Sequence, residues 1–282
     1  MRRVAIATAN FDDVQFDPDG QILLDALALA DLDGSMCVWN DASVEWSGFD
    51  LTVIRSTWDY TDDLAGYLAW ARGIARLLNP YPIIEYSTDK HYLGDLARRS
   101  HRIVPTTFCD VGQEPVFPDG PFVVKPTVGR GAIGAEKYAP GDDERAVAHV
   151  RLLHASGCDV MIQPYISSID HDGERALVFI DGKFSHAMTK AAMLNTPAEV
   201  RDAAFRRRQM SVAKAEPDAV AFGEAVMDEE TFRGILYGRV DLVMTSEGWA
   251  IMELELVEPS LFLAYDDRAP RRLAEAIRAR LD

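Results

Sequence analysis

Gly238-Arg239-Val240-Asp241-Leu242-Val243-Met244 and Ala250-Ile251-Met252-Glu253-Leu254-Glu255-Leu256 flank the polar turn Ser246-Glu247-Gly248. Apolar and charged residues alternate along the polar ends of both arms, the pattern of a β-hairpin with one buried face. Closing it with a three-residue turn, Gly248 in the left-handed position, sets Asp241 opposite Glu253, Arg239 opposite Glu255 and Val243 opposite Ile251. Arg239, Asp241, Glu253 and Glu255 then share one face. Val240, Leu242, Met244, Ala250, Met252, Leu254 and Leu256 form the core face. A two-residue turn would shift the register by one and part Asp241 from Glu253, so the reading depends on the turn.

Three carboxylates on one face repel one another unless a cation sits among them. Oxygen ligands in that number suit Mg²⁺, which is usually held by one or two carboxylates together with nucleotide phosphates. The competing reading is a solvated polar face with Arg239 as an ion-pair partner. The acidic residues gather at one end of the hairpin opposite a strongly apolar face, which favours the metal.

Gly129-Arg130-Gly131-Ala132-Ile133-Gly134 matches the G-x-G-x-x-G string of dinucleotide-binding folds. That motif needs a strand before it and a helix after it. The strand is present at residues 121–125, but Ala135 to Gly141 is too short and too rich in Pro and Gly for the helix. The glycines are therefore expected at a hairpin tip, where exposed N–H groups can approach phosphate oxygens. Lys125, ending the feeding strand, points the same way. A flexible tip without a ligand is the plain alternative.

The first ~90 residues alternate strand and helix signals, as in an α/β parallel sheet covered by helices. Residues 4–9 and 51–54 read as buried strands, and residues 22–30 and 62–78 as helices; Pro80 and Pro82 close this lobe. A middle segment holds a helix over 90–100, strands over 121–125, 135–138 and 160–163, and a helix over 143–155. The last segment has strands over 176–180 and 183–188, a basic stretch over 196–214 read as loop plus exposed helix, the acidic hairpin, and a helix over 270–281. The expected division is 1–87, 88–165 and 166–282.

The chain carries 29 Lys plus Arg against 45 Asp plus Glu, a net charge of −16. That field repels phosphate backbones and anionic membranes, so neither nucleic acid nor lipid is an expected partner. Cys37, Cys109 and Cys158 are odd in number and lack CxxC spacing, which suits a reducing cytoplasm. The short run Val4-Ala5-Ile6-Ala7 is not the apolar core of a signal peptide, and no window approaches the ~18–20 apolar residues of a membrane span. A cytoplasmic protein is expected, with homo-oligomerisation left open. His149 and His154, five apart on one helix, are read as structural.

In order and spacing these motifs resemble the ATP-grasp superfamily, and their sequence along the chain is similar to that of D-alanine–D-alanine ligase and glutathione synthetase. The resemblance implies an ATP-grasp fold, with a Rossmann-like N-terminal parallel-sheet domain and two α+β lobes clasping ATP. It implies that Lys90 and Lys125 bind nucleotide phosphates, and that Gly129, Arg130, Gly131 and Ala132 belong to a mobile loop closing over them. Gln163, Pro164, Tyr165 and Ile166 resemble the hinge that holds adenine, where Pro164 can offer only its carbonyl. Glu174 resembles the residue that takes the ribose hydroxyls, although the loop before it is longer than in the relatives. Lys190 resembles a phosphate or substrate lysine. Asp241, Glu253 and Glu255 resemble the metal hairpin; Glu255 stands where many members have Asn. Arg239 looks like the arginine that stabilises the tetrahedral intermediate, so Arg239 and Lys190 are the catalytic candidates.

The implied chemistry is attack of a substrate carboxylate on the γ-phosphate of Mg²⁺–ATP, with Mn²⁺ able to substitute, followed by attack of a nitrogen on the acyl phosphate. The substrate is expected to be a small amino-acid-like compound. Loops after parallel strands line ligand crevices, which makes Asn10, Phe11, Arg55, Ser56, Thr57 and Asp59 substrate candidates. Trp58 and Tyr60 are read as lid or core aromatics, and Arg206-Arg207-Arg208 as a solvated helix face. The segment Arg55-Ser56-Thr57-Trp58-Asp59-Tyr60 resembles a bacterial branch that includes the ligase closing O-ureido-D-serine to D-cycloserine in antibiotic biosynthesis. Two other readings remain: an NAD-dependent oxidoreductase built on the glycine string, and a catalytically silent nucleotide-binding protein.

Overall fold

The structure, a computed structural model, describes residues 1–10, 17–196 and 209–281. Four parallel strands open the chain: β1 (Arg2–Thr8), β2 (Leu32–Val38), β3 (Leu51–Ser56) and β4 (Leu77–Leu78), ordered β2-β1-β3-β4. Helices α1 (Gly20–Leu29) and α2 (Leu64–Gly73) connect them. Strand β2 was not expected, because Asp33, Gly34 and Ser35 break its apolar run; its pairing to β1 overrides that weak local preference.

Helix α2 is shorter than the apolar stripe over 62–78. The Asp63 side chain caps its start by accepting from the Gly66 N–H, and Ile74 is already extended, at φ −82° and ψ 114°. Leu77 and Leu78, the end of that stripe, instead add the edge strand. The prolines read as closing the lobe start a helix, α3 (Tyr81–Thr88), with Pro80 at the cap and Pro82 in the first turn, where a missing N–H costs nothing. Helix α4 (Tyr92–Arg98) follows.

The middle of the chain forms an antiparallel sheet of β5 (Thr107–Cys109), β6 (Phe122–Pro126), β7 (Glu136–Tyr138) and β8 (Val160–Pro164), ordered β5-β8-β6-β7 and backed by α5 (Asp143–Ala155). This sheet has its own core, built on Phe122, Val124, Tyr138, Ala146, Val150 and Ile162. Helix α4 packs elsewhere: Tyr92, Leu93 and Leu96 lie in one cluster with Leu177, Phe179, Val240 and Leu254 of the last sheet.

That last sheet is antiparallel, ordered β11-β10-β9-β12-β13, from β9 (Glu174–Ile180), β10 (Lys183–Lys190), β11 (Met210–Ala213), β12 (Tyr237–Thr245) and β13 (Gly248–Glu255). A short helix, α6 (Ile169–Asp172), leads into it, and α7 (Pro217–Met227) and α8 (Ala269–Ala279) cover it. Val178, Ile180 and Tyr237 share a core with Ile6 of the first sheet, Leu23 and Leu27 of α1, and Leu273 and Ile277 of α8. Most of the stretch read as basic loop and helix, Arg206-Arg207-Arg208 included, lies outside the described residues. Among those described, no helix is long and apolar enough to cross a membrane.

The hairpin register is reached by a different route from the one its sequence suggests. Thr245 pairs with Gly248, so two residues, Ser246 and Glu247, form the loop, with Gly248 at φ +104°. Val243 therefore faces Ala250, and Leu242 faces Ile251. A β-bulge between Asp241 and Leu242 then leaves Met252 unmatched and restores Asp241↔Glu253 and Arg239↔Glu255. The bulge also takes Met252 off the core face: it is half-buried beside Val243 and Ala250.

Because β13 is an edge strand, its outward backbone groups need partners. The Leu254 N–H donates to the Tyr92 hydroxyl (2.9 Å), and Ser87 Oγ accepts from the Leu256 N–H (3.2 Å). Asn79, fully buried, donates to the Leu256 and Tyr237 carbonyls, both at 2.8 Å. These side chains and the bulge fix the register together. Deleting Met252 should leave a regular ladder with the same partners, Leu242↔Ile251 followed directly by Asp241↔Glu253 and Arg239↔Glu255, so the variant should still melt cooperatively and keep measurable ATP turnover. Met252→Ala, which keeps the bulge, should melt within a few degrees of the wild type. Loss of the cooperative melt in the deletion but not in the substitution, followed calorimetrically, would show that the pairing depends on the bulge itself.

Candidate active site

A cavity of about 540 Å³ opens between the middle and last sheets. Its wall includes Lys90, Lys125, the glycine loop, Gln163 to Ile166, Glu174, Lys190, Arg239, Glu253 and Glu255. Of the residues put forward for nucleotide, metal and catalysis, Asp241 alone does not border it. The side chain of Asp241 is 0 % exposed and sits behind the wall. One oxygen from each of Asp241, Glu253 and Glu255 lies within 4.8 Å of the others.

Anions and cations interleave on this sheet face. Lys190, from the end of β10, donates to Asp241 Oδ2 (2.7 Å) and pairs with Glu174 Oε2 (2.8 Å). Arg239 forks onto Asp241, Nε to Oδ1 at 2.8 Å and Nη2 to Oδ2 at 2.9 Å, and also reaches Glu255 Oε1 and the Ser260 carbonyl. Lys125, from β6, crosses to Glu253 Oε1 at 3.0 Å. Burial alone would raise the Asp241 carboxyl, but Arg239 and Lys190 outweigh it and hold it below its ordinary value. Glu253 is likewise held low against burial, by Lys125 and Lys90. Glu255 goes the other way: burial pushes it up to about 7, opposed by Arg239 and assisted by the Asp241 charge.

The glycine string lies between β6 and β7, with Gly131, Ala132 and Gly134 at positive φ. No helix follows it before β7, so it is a hairpin tip without the strand–turn–helix geometry of a dinucleotide fingerprint. Lys90 Nζ donates to the Gly129 carbonyl at 2.8 Å, tying the tip to the cavity floor. Arg130 Nε is buried at the wall and has no hydrogen-bond partner among the described residues. An orphaned guanidinium N–H calls for an acceptor, and a phosphate oxygen is one.

The hinge is more committed than its sequence suggests. Tyr165 donates its N–H to the Pro121 carbonyl (2.8 Å), and Gln163 Nε2 donates to Thr106 Oγ1 (2.8 Å). Tyr165 also carries Lys137 Nζ 3.4 Å above its ring.

Among the described residues, the substrate candidates Asn10, Arg55, Ser56, Thr57 and Asp59 of the first lobe do not border the cavity. Arg55 is fully buried and donates to the Pro259 carbonyl. Ser56 is paired with Thr8 (2.9 Å), Thr57 with Tyr67 (2.9 Å), and Asp59 accepts from Trp39 Nε1 (2.7 Å). Asn10 is exposed and Phe11 lies outside the described residues. The same segment meets the cavity through Trp58 and Tyr60 instead. Sequence reasoning also missed Asp17, Asp19, Glu258, Ser260 and Phe262, all on the wall. Glu258 and Ser260 could have been found as the continuation of the acidic strand.

Burial pushes Glu258 up to about 7 from an ordinary 4.5, with the neighbouring Glu255 charge adding to it. A carboxyl raised on folding stabilises the fold below its unfolded value, and that contribution is lost as pH rises to about 7. Glu258→Gln removes the titration. The melting temperature of the variant minus that of the wild type, without nucleotide, should therefore climb between about pH 4.5 and 7.5. A difference that stays flat across this window would contradict a Glu258 carboxyl raised by desolvation and the Glu255 charge.

Comparison with known proteins gives the same picture. The family model described as "D-cycloserine synthetase DcsG, N-terminal domain" matches residues 4–79. The cycloserine biosynthesis protein DcsG of Streptomyces lavendulae is 35% identical over 283 residues, covering 94% of each chain. A crystal structure of D-cycloserine synthetase DcsG superposes with a TM-score of 0.88 at 31% identity, over 99% of this chain and 100% of that one. D-alanine–D-alanine ligase from Bacillus anthracis, complexed with ATP, shares the fold at a TM-score of 0.68 and 15% identity, over 100% and 97% of the two chains. The chain belongs to the D-cycloserine synthetase DcsG family of ATP-grasp ligases.

Proposed function

We propose that the chain activates the carboxylate of a small amino-acid-like substrate as an acyl phosphate, which a nitrogen nucleophile then displaces. The specific reaction we assign is closure of O-ureido-D-serine to D-cycloserine: the nitrogen bonded to oxygen displaces phosphate from the acyl phosphate, and the carbamoyl group on that nitrogen is removed by water as carbon dioxide and ammonia. The observation that carries this reading is the convergence of Glu253 and Glu255 with Lys90, Lys125, Lys190 and Arg239 on one cavity. Phosphoryl transfer needs that mixture, since oxygen ligands hold a divalent cation while lysines and arginine offset phosphate charge.

Bound Mg²⁺–ATP would supply the phosphoryl group and an electrophilic charge beside it. Mn²⁺, which also favours oxygen ligands, is expected to substitute. Glu253 and Glu255 would face the metal, with Asp241 completing the carboxylate set from behind. Lys90, Lys125 and the N–H groups of Gly129 to Ala132 would take phosphate oxygens, helped by Arg130 Nε. Glu174 is assigned the ribose hydroxyls, and the segment from Gln163 to Ile166 the adenine. Lys190 and Arg239, both anchored on Asp241, are held rigidly where the substrate carboxyl meets the nucleotide. The Arg239 guanidinium would stabilise the oxyanion formed when nitrogen adds to the acyl phosphate. No protein nucleophile is required; catalysis rests on placement and electrostatics.

Incubation with ATP, Mg²⁺ and O-ureido-D-serine should release phosphate and ADP together with a product of the mass of cycloserine. Phosphate release only with other amino-acid-like carboxylates would keep the ligase and reject this substrate. Glu253→Gln should cut ATP turnover by at least ~10²-fold, as loss of a metal clamp does. Arg239→Ala should leave nucleotide affinity nearly unchanged while product formation falls ~10²-fold or more. Lost nucleotide affinity with normal turnover at saturation would instead make Arg239 a nucleotide anchor.

A further inference from the structure

Beyond β13 the chain crosses the cavity wall as an irregular strap, residues 256–262, before a single 3₁₀ turn over Leu263–Tyr265. Outside any ladder, its carbonyls need partners elsewhere. From residue 256 to residue 261 each one accepts from a side chain: Asn79 at Leu256, Tyr237 at Val257, Trp58 at Glu258, Arg55 at Pro259, Arg239 at Ser260 and His186 at Leu261. Ser260 and Phe262 border the cavity, while Leu261 between them is fully buried. His186, from β10, is buried too and is not part of the wall.

Phe262 sits at φ 53° and ψ 39°, the left-handed region, which a bulky residue holds only where its neighbours over-determine it. Rotation of the Leu261–Phe262 peptide sets that φ, and the carbonyl of this peptide is the one that His186 Nε2 holds at 2.9 Å. The Phe262 carbonyl accepts in turn from the Tyr265 N–H (3.0 Å). A relay behind His186 gives its bond a direction. Arg272 Nη1 donates to Ser185 Oγ (2.6 Å), which leaves the Ser185 proton for His186 Nδ1 (2.9 Å) and the ring proton on Nε2. Burial holds the imidazole below its ordinary pKa and so favours the neutral ring that this order requires.

The residues on both sides of Leu261 touch Arg239. Its Nη1 donates to the Ser260 carbonyl at 3.1 Å, and its guanidinium carbon lies 5.4 Å from the centroid of the Phe262 ring, within cation–π range. Asp241 and Glu255 hold the guanidinium from the sheet; Ser260 and Phe262 hold it from the strap.

We propose that His186 is a positioning residue for the acyl-transfer step: its Nε2–H keeps the Leu261 peptide, and through it Ser260 and Phe262, where they fix the Arg239 guanidinium. The proposal rests on the ligase reading above. Without that bond the peptide can turn and relieve the strain at Phe262. Arg239 then loses its strap contacts while its ion pairs with Asp241 and Glu255 remain. Phosphoryl transfer from ATP still proceeds, but nitrogen adds to the acyl phosphate more slowly and water competes with it. Water oxygen bonds the acyl carbon, the bond from that carbon to the phosphate oxygen breaks, and the protons pass to phosphate and solvent. The substrate carboxylate returns and phosphate is released without product. Product formed per phosphate released therefore reports on His186, whereas a loss of packing alone lowers the active fraction and leaves that ratio unchanged.

The test measures cycloserine and phosphate together, with O-ureido-D-serine, ATP and Mg²⁺, in the wild type, His186→Gln and His186→Asn. The Gln amide nitrogen can stand where Nε2 does. The Asn amide nitrogen stands where Nδ1 does, too short to reach Leu261. In His186→Asn, kcat for product should fall ~10-fold or more and product per phosphate below ~0.5, with the KM for ATP within ~2-fold, because displacing a catalytic group slows its own step. His186→Gln should keep product per phosphate near the wild-type value and kcat within ~3-fold. A folded His186→Asn with the wild-type ratio would overturn the proposal, as would a ratio in His186→Gln that falls as far. Should His186→Asn fail to fold, Ser185→Ala decides: it removes the partner of Nδ1 and should lower product per phosphate by at least ~2-fold, and an unchanged ratio overturns the proposal. Phosphate release by the wild type from other carboxylates but not from O-ureido-D-serine would overturn the substrate assignment and, with it, this role in its acyl transfer. A normal wild-type ratio with unaffected variants overturns the role of His186 alone.

Discussion

Burying carboxylates and cations on one sheet face costs several kcal/mol per ion unless each finds a partner, and that requirement organises this molecule around Asp241. Its two oxygens take three N–H donors, two from Arg239 and one from Lys190, at 2.7 to 2.9 Å. Arg239 and Lys190 reach on to Glu255 and Glu174, so five charged side chains from four adjacent strands form one connected network. Glu253 joins the same face but looks to the middle sheet, through Lys125. The network explains why an edge strand has to be locked by Asn79, Ser87 and Tyr92: a slip of one residue would bury unpaired charge on the apolar side.

The same arrangement explains how a site for a highly charged ligand can exist before the ligand arrives. Lysines that would hold phosphates are paired with carboxylates that would hold a divalent cation, and a metal–nucleotide complex would bring both complements at once. Each ion pair given up is replaced by a pair of the same sign pattern, so the exchange is close to balanced in charge. The middle sheet, with a core of its own, contributes Lys125, the glycine tip and the hinge. The last sheet, sharing its core with the first, contributes the carboxylates and Arg239. The middle sheet also lends Met161 and Phe108 to the core of the last sheet, so a ligand in the cavity would lie between two bodies joined along an apolar seam, an arrangement that closing lobes exploit.

Much of this was legible in the chain because alternation and glycine placement report local geometry directly. The acidic face, the hairpin tip and most strands of the last two sheets follow from period-two patterns. The turn was read as three residues and is two, yet Asp241 still meets Glu253, because a bulge at Met252 compensates. Nothing in the apolar run Ala250-Ile251-Met252 marks which residue is extra; the contacts of residues 251, 254 and 256 with Arg102, Val104, Tyr92, Ser87 and Asn79 decide it. Strand β2 and helix α3 were missed because tertiary pairing and a proline start override what Gly34, Ser35, Pro80 and Pro82 suggest locally. The substrate candidates of the first lobe lie off the cavity wall for a similar reason. Position after a parallel strand says that a loop is near the crevice, but not which side chains turn inward, and Arg55, Ser56, Thr57 and Asp59 are absorbed by buried partners. Asp17, Asp19 and Glu258 carry no motif; only the fold brings them to the cavity wall.

The central claim is that the ion pairs of the hairpin face are exchanged for Mg²⁺ and nucleotide. A crystal structure of the chain with Mg²⁺ and a non-hydrolysable ATP analogue tests it most directly. The account predicts that Lys125 leaves Glu253 for a phosphate oxygen, that Glu253 and Glu255 ligate the metal, and that Asp241 keeps Arg239 and Lys190. A nucleotide bound with the Lys125–Glu253 pair intact and no metal on Glu253 or Glu255 would contradict it.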